Sequence, residues 1–240
     1  MIEINNISKK FKKYLVPFGS IKSTVLHYKE YKEQISKIEE LNVIKNLTLS
    51  VPEGEVLCIT GKNGSGKSTL AKMIAGTLTP DFGEIIVKGS IVPFLELGVA
   101  FNPELSAYDN VFLNGVLLGL SRRYLKENIK KIFQYAEVEE FMNTPIKYYS
   151  SGMQVRLAYS IGMHAEGDIY IYDEILAVGD VNFQKKCFNS FSDLIKNKKT
   201  IVLITHDGEL VKKYATIVLH LENGNYRILN NRDDIQKLDI

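Results

Sequence analysis

Only two cysteines occur in the 240-residue chain, Cys58 and Cys187, far apart and without metal-ligand spacing. The pattern excludes a cysteine metal cluster and fits two reduced thiols in a cytosolic protein. An excess of one charge sign is missing too. Thirty Lys and Arg against 28 Asp and Glu leave a formal charge of +2, too near balance for a dedicated nucleic-acid binder. No stretch reaches the roughly 18 uncharged apolar residues that cross a bilayer. Met1-Ile2-Glu3-Ile4-Asn5-Asn6 has no basic segment leading into an apolar run, so no signal peptide is expected. A protein of this kind serves a membrane only from its surface, through a partner. Internal repeats and low-complexity tracts are also absent. What remains is a chain with 45% hydrophobic residues, enough for one sizeable domain, or one domain with a small subdomain, around a real core.

Residues 2–8 read as a short strand leading into the basic run Lys9-Lys10-Phe11-Lys12-Lys13-Tyr14. Residues 20–41 read as a helix, with Val25, Tyr28, Tyr31, Ile35 and Ile38 at three- and four-residue steps. Residues 43–51 alternate like a strand, and a Pro52-Glu53-Gly54-Glu55 turn follows. Val56–Thr60 is a continuous apolar run, suited to a strand buried on both faces of a mostly parallel sheet. Similar runs at Ile169–Tyr172 and Thr200–Ile204, with helical stretches between them, point to an α/β fold. Residues 108–148 have helical patterns and little strand signal, so a helical subdomain over about 100–160 is expected within the sheet topology. Near the end, an Asn223-Gly224 turn between Ile217–Leu221 and Tyr226–Leu229 signals an antiparallel hairpin.

Gly61-Lys62-Asn63-Gly64-Ser65-Gly66-Lys67-Ser68-Thr69 matches G-x-x-x-x-G-K-[ST] and stands where that motif works, after a buried strand and opening a helix. Glycines let backbone N–H groups curl around phosphate oxygens, and the helix N-terminus adds partial positive charge. Lys67 is placed to reach the β- and γ-phosphates of ATP, and Ser68 to ligate Mg²⁺. A second acidic element must hold the metal and activate water. Ile169-Tyr170-Ile171-Tyr172-Asp173-Glu174 delivers two carboxylates at the C-terminal end of a strand, where open α/β sheets bind ligands. Successive strand residues point to opposite faces, so the two acids divide the work: Asp173 for Mg²⁺, Glu174 as general base toward water.

A phosphate loop alone leaves kinases and GTPases open. Tyr149-Ser150-Ser151-Gly152-Met153, about twenty residues before Asp173, resembles the ABC signature Leu-Ser-Gly-Gly-Gln and likewise begins an apolar helix. It departs from the pattern at Ser151, where a glycine is usual, and at Met153, which lacks the glutamine amide. Chemically it is a second anion site, made of hydroxyls, small residues and a helix tip. The resemblance implies the ABC nucleotide-binding fold: a P-loop NTPase with a mostly parallel core sheet, antiparallel β elements and an inserted α-helical subdomain. It also implies that Ser150, Ser151 and Gly152 meet the γ-phosphate held by a second copy, so that a head-to-tail dimer sandwiches two ATP. Further residues fall in family order. His206 of Thr205-His206-Asp207 resembles the switch histidine, and Asp180 the dimer-contact aspartate. Phe11 is the candidate to stack on adenine, with Tyr14 second. His27, His164 and His220 have no such context and read as structural. The loop after the first helix usually carries a glutamine. Here Val92-Pro93-Phe94-Leu95-Glu96-Leu97-Gly98 has none, and Glu96 is the substitute metal ligand.

Three stretches look like the polysaccharide- and teichoic-acid-export branch of that family. They are Leu95–Gly98 with Asn102-Pro103-Glu104-Leu105, Tyr149–Met153, and Asp173-Glu174-Ile175-Leu176-Ala177-Val178-Gly179-Asp180. The branch implies an integral-membrane permease as partner, a lipid-linked glycan (O antigen, capsule or teichoic acid) as the exported molecule, and a peripheral place on the cytoplasmic face of the bacterial inner membrane. The expected organisation is one nucleotide-binding domain over 1–240, with a helical insertion at about 17–41 that faces permease or membrane and no C-terminal carbohydrate-binding domain. The alternatives are an ABC ATPase for a different substrate and a soluble, non-transport ABC ATPase, whose usual paired cassettes or long coiled coil are not found. A kinase or GTPase would leave residues 149–153 unexplained.

Overall fold

The computed structural model describes residues 1–13, 39–95, 98, 100–174 and 179–238. Two sheets organise them. In the smaller, β1 (Ile2–Lys13) lies between β2 (Glu39–Val51) and β4 (Phe82–Val87), both antiparallel to it. The larger has the order β5-β6-β7-β3-β8-β9, built from β3 (Val56–Gly61), β5 (Ile91–Phe94), β6 (Ile169–Asp173), β7 (Thr200–Ile204), β8 (Ile217–Glu222) and β9 (Asn225–Leu229). Its pairings are parallel except for the β8–β9 hairpin.

The apolar runs are buried on both faces, and alternate residues feed different cores. Leu57 and Ile59 of β3 join Ile2, Leu47 and Leu70 between the two sheets. Val56 and Cys58 face the other way, toward Phe94, Tyr172 and Phe191. Helix α1 (Lys67–Ile74) closes the first core, while α5 (Val181–Lys196) and α6 (Gly208–Tyr214) cover the second, and the short α7 (Arg232–Gln236) follows β9. A third core, containing Val111, Leu125, Phe133 and Leu157, holds α2 (Ala107–Leu117), α3 (Arg122–Ala136) and α4 (Ser151–Met163) together. Each of these three helices opens on a serine, Ser106, Ser121 or Ser150, whose hydroxyl accepts a first-turn N–H. Burial pushes the Cys58 thiol up to about 12, so both free cysteines sit as inert thiols in the core.

The structure departs from the sequence reading in the small sheet and at one edge of the large one. Strand β1 does not stop at residue 8 but carries the basic run to Lys13. Asn6, with φ 49°, marks an irregularity after which Ile7 and Lys9 take the buried face. Lys9 is tolerated there because its ammonium meets Asp81 at 2.7 Å. Strand β2 begins at Glu39, so residues 39–41, expected to end a helix, are strand, with Leu41 paired to Phe11. The remainder of that expected helix, and Tyr14, lie outside the described residues. Strands β4 and β5 had no sequence signal. Most of β4 is exposed, with only Ile85 and Val87 turned half-buried toward the core, and β5 falls where a loop was expected. Pro93 is accommodated because β5 is an edge strand. Glu96, just beyond it, lies outside the described residues.

Candidate functional site

Strand β3 ends at Gly61, whose φ of +136° suits glycine, and a Cβ there would lie 2.2 Å from the Leu221 carbonyl oxygen. Gly66, at φ +103°, has no room either: a Cβ would come within 2.5 Å of Val43 Cγ1. It stands at the N-cap of α1 with no side chain capping the first turn, so those N–H groups are left for an acceptor at the turn. Lys67 is buried, its Nζ donating to the carbonyls of Gly61 at 2.7 Å and Lys62 at 3.0 Å. The Ser65 hydroxyl is buried with no hydrogen-bond partner among the described residues. Uncapped amides, a buried ammonium and an orphaned hydroxyl in one turn form a cradle for a polyanion.

A cavity of about 580 Å³ opens in front of this turn, lined by Phe11, Val43, Asn63, Gly64, Gly66, Lys67, Ser68, Thr69, Asp173 and Glu174. Lys62 and Ser65 line an adjoining space of about 360 Å³ with Asn42, Lys45 and Asn223. Phe11 reaches the cavity from β1, the residue being 41% exposed, with Lys9 Nζ 5.6 Å from the ring centroid. Val43 was not anticipated as a wall. Its place at the start of an alternating strand marked it for the core, and it serves both roles.

Asp173 continues the face of Ile169 and Ile171, which look toward α1, and therefore points at the phosphate turn. Burial raises its pKa, opposed by a hydrogen bond from the Ser68 hydroxyl and reinforced by the Glu174 charge. Because this folded-state pKa lies above the unfolded value, Asp173 favours folding only at acid pH. That contribution is lost as pH rises through the folded value, and near neutrality the carboxylate is a cost. Asp173→Asn is therefore expected to melt a few degrees higher than the parent at pH 7 without nucleotide or divalent cation. The gain should vanish below about pH 4, where both side chains are neutral. Calorimetry in a chelator checks this, and equal melting at pH 7 would refute the cost.

Glu174 corrects the expected division of the two acids between opposite faces. Its φ of 53° is left-handed, so the alternation ends at Asp173 and both carboxylates face one cavity. Its N–H donates to the Ile204 carbonyl at 3.0 Å, which ties it to the end of β7. Its Oε1 meets His206 Nδ1 at 2.8 Å, so His206 joins the site through Glu174. His220 instead pairs with Thr60 at 3.0 Å and His164 with the Ser160 carbonyl at 2.9 Å, while His27 lies outside the described residues. Ser150, Ser151, Gly152 and Asp180 do not line the cavity. Ser150 caps α4 and Asp180 caps α5, each at the N-terminus of its helix.

The pattern of an ABC transporter domain matches residues 44–177. The O-antigen export system ATP-binding protein RfbB of Klebsiella pneumoniae is 34% identical over 99% of this chain and 96% of its own length. The RfbB of Myxococcus xanthus is 34% identical over 98% of this chain, which spans 54% of that relative, about half its length. The teichoic acids export ATP-binding protein TagH of Bacillus anthracis is 35% identical over 94% of this chain, which spans 40% of it. Among solved structures, a dimeric post-hydrolysis ATP-binding cassette bound to ADP and Pi shares the fold, with a TM-score of 0.73 at 22% identity over 96% of this chain and 98% of that one.

Proposed function

Because the chain belongs to the ABC transporter family and has its ATPase domain, we propose that it is the ATP-hydrolysing subunit of an exporter for a lipid-linked polysaccharide. In this reading it works as a head-to-tail pair of copies bound to a membrane permease. The names of the relatives, O-antigen and teichoic-acid exporters, support the branch read from the motifs. One observation carries the dimer: the phosphate turn and both carboxylates line one cavity, while the serine-bearing tip of α4 lies outside it. A second anion-binding helix tip is thus available to a neighbouring copy and is not used within its own.

The residues fit the substrate and its metal. Ser65 Oγ and the uncapped amides of α1 await acceptor oxygens, and Lys67 supplies the cation. Ser68 and Asp173, already hydrogen-bonded, are the hard oxygen donors suited to Mg²⁺, with Glu96 as the further proposed ligand. Bound there, Mg²⁺ neutralises charge on the β- and γ-phosphate oxygens. Phe11 offers a ring face to adenine. Glu174 takes the proton of the attacking water, and His206, at hydrogen-bond distance from it, holds the carboxylate and contacts the γ-phosphate on closure. Ser150, Ser151 and Gly152 cap the γ-phosphate of the partner copy, with Asp180 at the contact between copies. Loss of that bridging phosphate reopens the dimer, and the cycle moves the permease.

No described helix is long and apolar enough to cross a membrane. In this reading the permease supplies the membrane attachment, at the cytoplasmic face of the bacterial inner membrane. Cells deleted for the chain are expected to lose surface glycan and accumulate its lipid-linked form inside. The parent chain restores export and Lys67→Ala does not. Unchanged surface glycan in the deletion strain would end the export reading.

A further inference from the structure

A charged cluster outside the nucleotide cavity joins the helix that carries the serine tip to the helix that follows the acidic pair. Arg156 lies on α4, six residues beyond Ser150 and so about 9 Å along the axis. Its Nη1 stands 3.5 Å from Glu137 Oε2 and 3.5 Å from Asp180 Oδ2. Its Nε is buried with no hydrogen-bond partner among the described residues, and its guanidinium carbon lies 5.9 Å from the Phe183 ring centroid. Glu137 is the left-handed C-cap of α3, and its other oxygen is taken by Lys186 of α5. Asp180 uses its other oxygen to cap α5, accepting from the N–H groups of Asn182 at 2.9 Å and Phe183 at 3.0 Å. Beneath the charges, the Tyr135, Tyr159 and Phe183 rings pack together, one from each of the three helices.

An arginine binds a carboxylate best through two parallel N–H donors. Here one nitrogen is shared between two carboxylates at the long end of direct contact, while Nε is left buried and unpaired. A guanidinium placed between two carboxylates in this way can give its paired donors to only one of them at a time, so the cluster has two competing arrangements. The two acids belong to different helices, and Lys186 of α5 holds the second oxygen of Glu137. Glu137 caps the end of α3, which packs on α4, whereas Asp180 starts α5, six residues beyond Glu174. We propose that Arg156 is a positioning residue whose choice between Glu137 and Asp180 couples engagement of the Ser150–Gly152 tip to the turn that carries Asp180. Commitment to Asp180 accompanies the engaged tip, and commitment to Glu137 its release.

This inference rests on the dimer reading, so its test starts from the Glu174→Gln chain. Light scattering measures the ATP concentration that half-dimerises it, and a fluorescent ATP analogue measures nucleotide affinity at protein concentrations too low to dimerise. Arg156→Ala is expected to raise the half-point about tenfold, with monomer affinity unchanged. Glu137→Gln, which frees Arg156 for Asp180, lowers it about threefold, and Arg156→Lys falls between parent and alanine. If Arg156→Ala does not fold, the other two variants decide. Half-points that stay put, or that move together with monomer affinity, would overturn the coupling. A Glu174→Gln chain that stays monomeric in saturating ATP would remove the dimer reading, and this inference with it.

Discussion

Glu174→Gln should lower kcat by about 10²–10⁴-fold, the usual contribution of a general base, and leave an ATP-dependent dimer that persists. The left-handed φ of 53° turns Glu174 out of the strand alternation and into the cavity that holds Asp173 and the phosphate turn. Its N–H bond to Ile204 and its contact with His206 at 2.8 Å fix that direction. Glutamine has nearly the same shape and keeps a hydrogen bond to His206, so the fold and the nucleotide cradle survive. What it loses is the basic oxygen that takes a proton from water. Phosphate release measures the chemical step, and light scattering in ATP against ADP measures the dimer. Near-parent turnover would remove Glu174 as the base.

Lys67→Ala should act earlier, on binding. Lys67 is a buried ammonium held by two carbonyls of its own loop, with its charge at the wall of the cavity. Those carbonyl contacts keep the ammonium in place and are exchangeable for phosphate oxygens, to which a charge-assisted bond is stronger. A hydrogen bond to a charged group contributes about 1.5–3 kcal/mol, so ATP affinity should fall roughly 10- to 150-fold. Loss of a cation placed where transition-state charge develops costs turnover about a further 10²–10³-fold. The Cβ of alanine fits wherever that of lysine did, so thermal melting without ligand should change little. Titration calorimetry with ATP and steady-state turnover check both parts. An affinity and a kcat within about twofold of the parent would sink the assignment.

The residues legible beforehand are contiguous ones. The phosphate turn, its preceding strand and its following helix lie within about twenty residues. Their chemistry follows from local needs: glycine where φ is positive, and apolar side chains where both strand faces are covered. Asp173 lies on the cavity side of its strand because period-two alternation holds up to it. Alternation then failed at the next residue, where a backbone dihedral rather than a side-chain pattern sets the direction of Glu174.

Amino-acid order by itself determined the α/β class, the nucleotide-binding turn and the family, because each is written in short runs whose physics is local. Tertiary structure alone decided that Lys9 could continue β1 inside the sheet, since its counter-charge Asp81 lies 72 residues away. It likewise decided that Val43 walls the nucleotide cavity, that Pro93 sits on an edge, and that Arg156 stands between Glu137 and Asp180. In each case the deciding partner is far along the chain, and distance in sequence carries no record of proximity in space until the layers have packed.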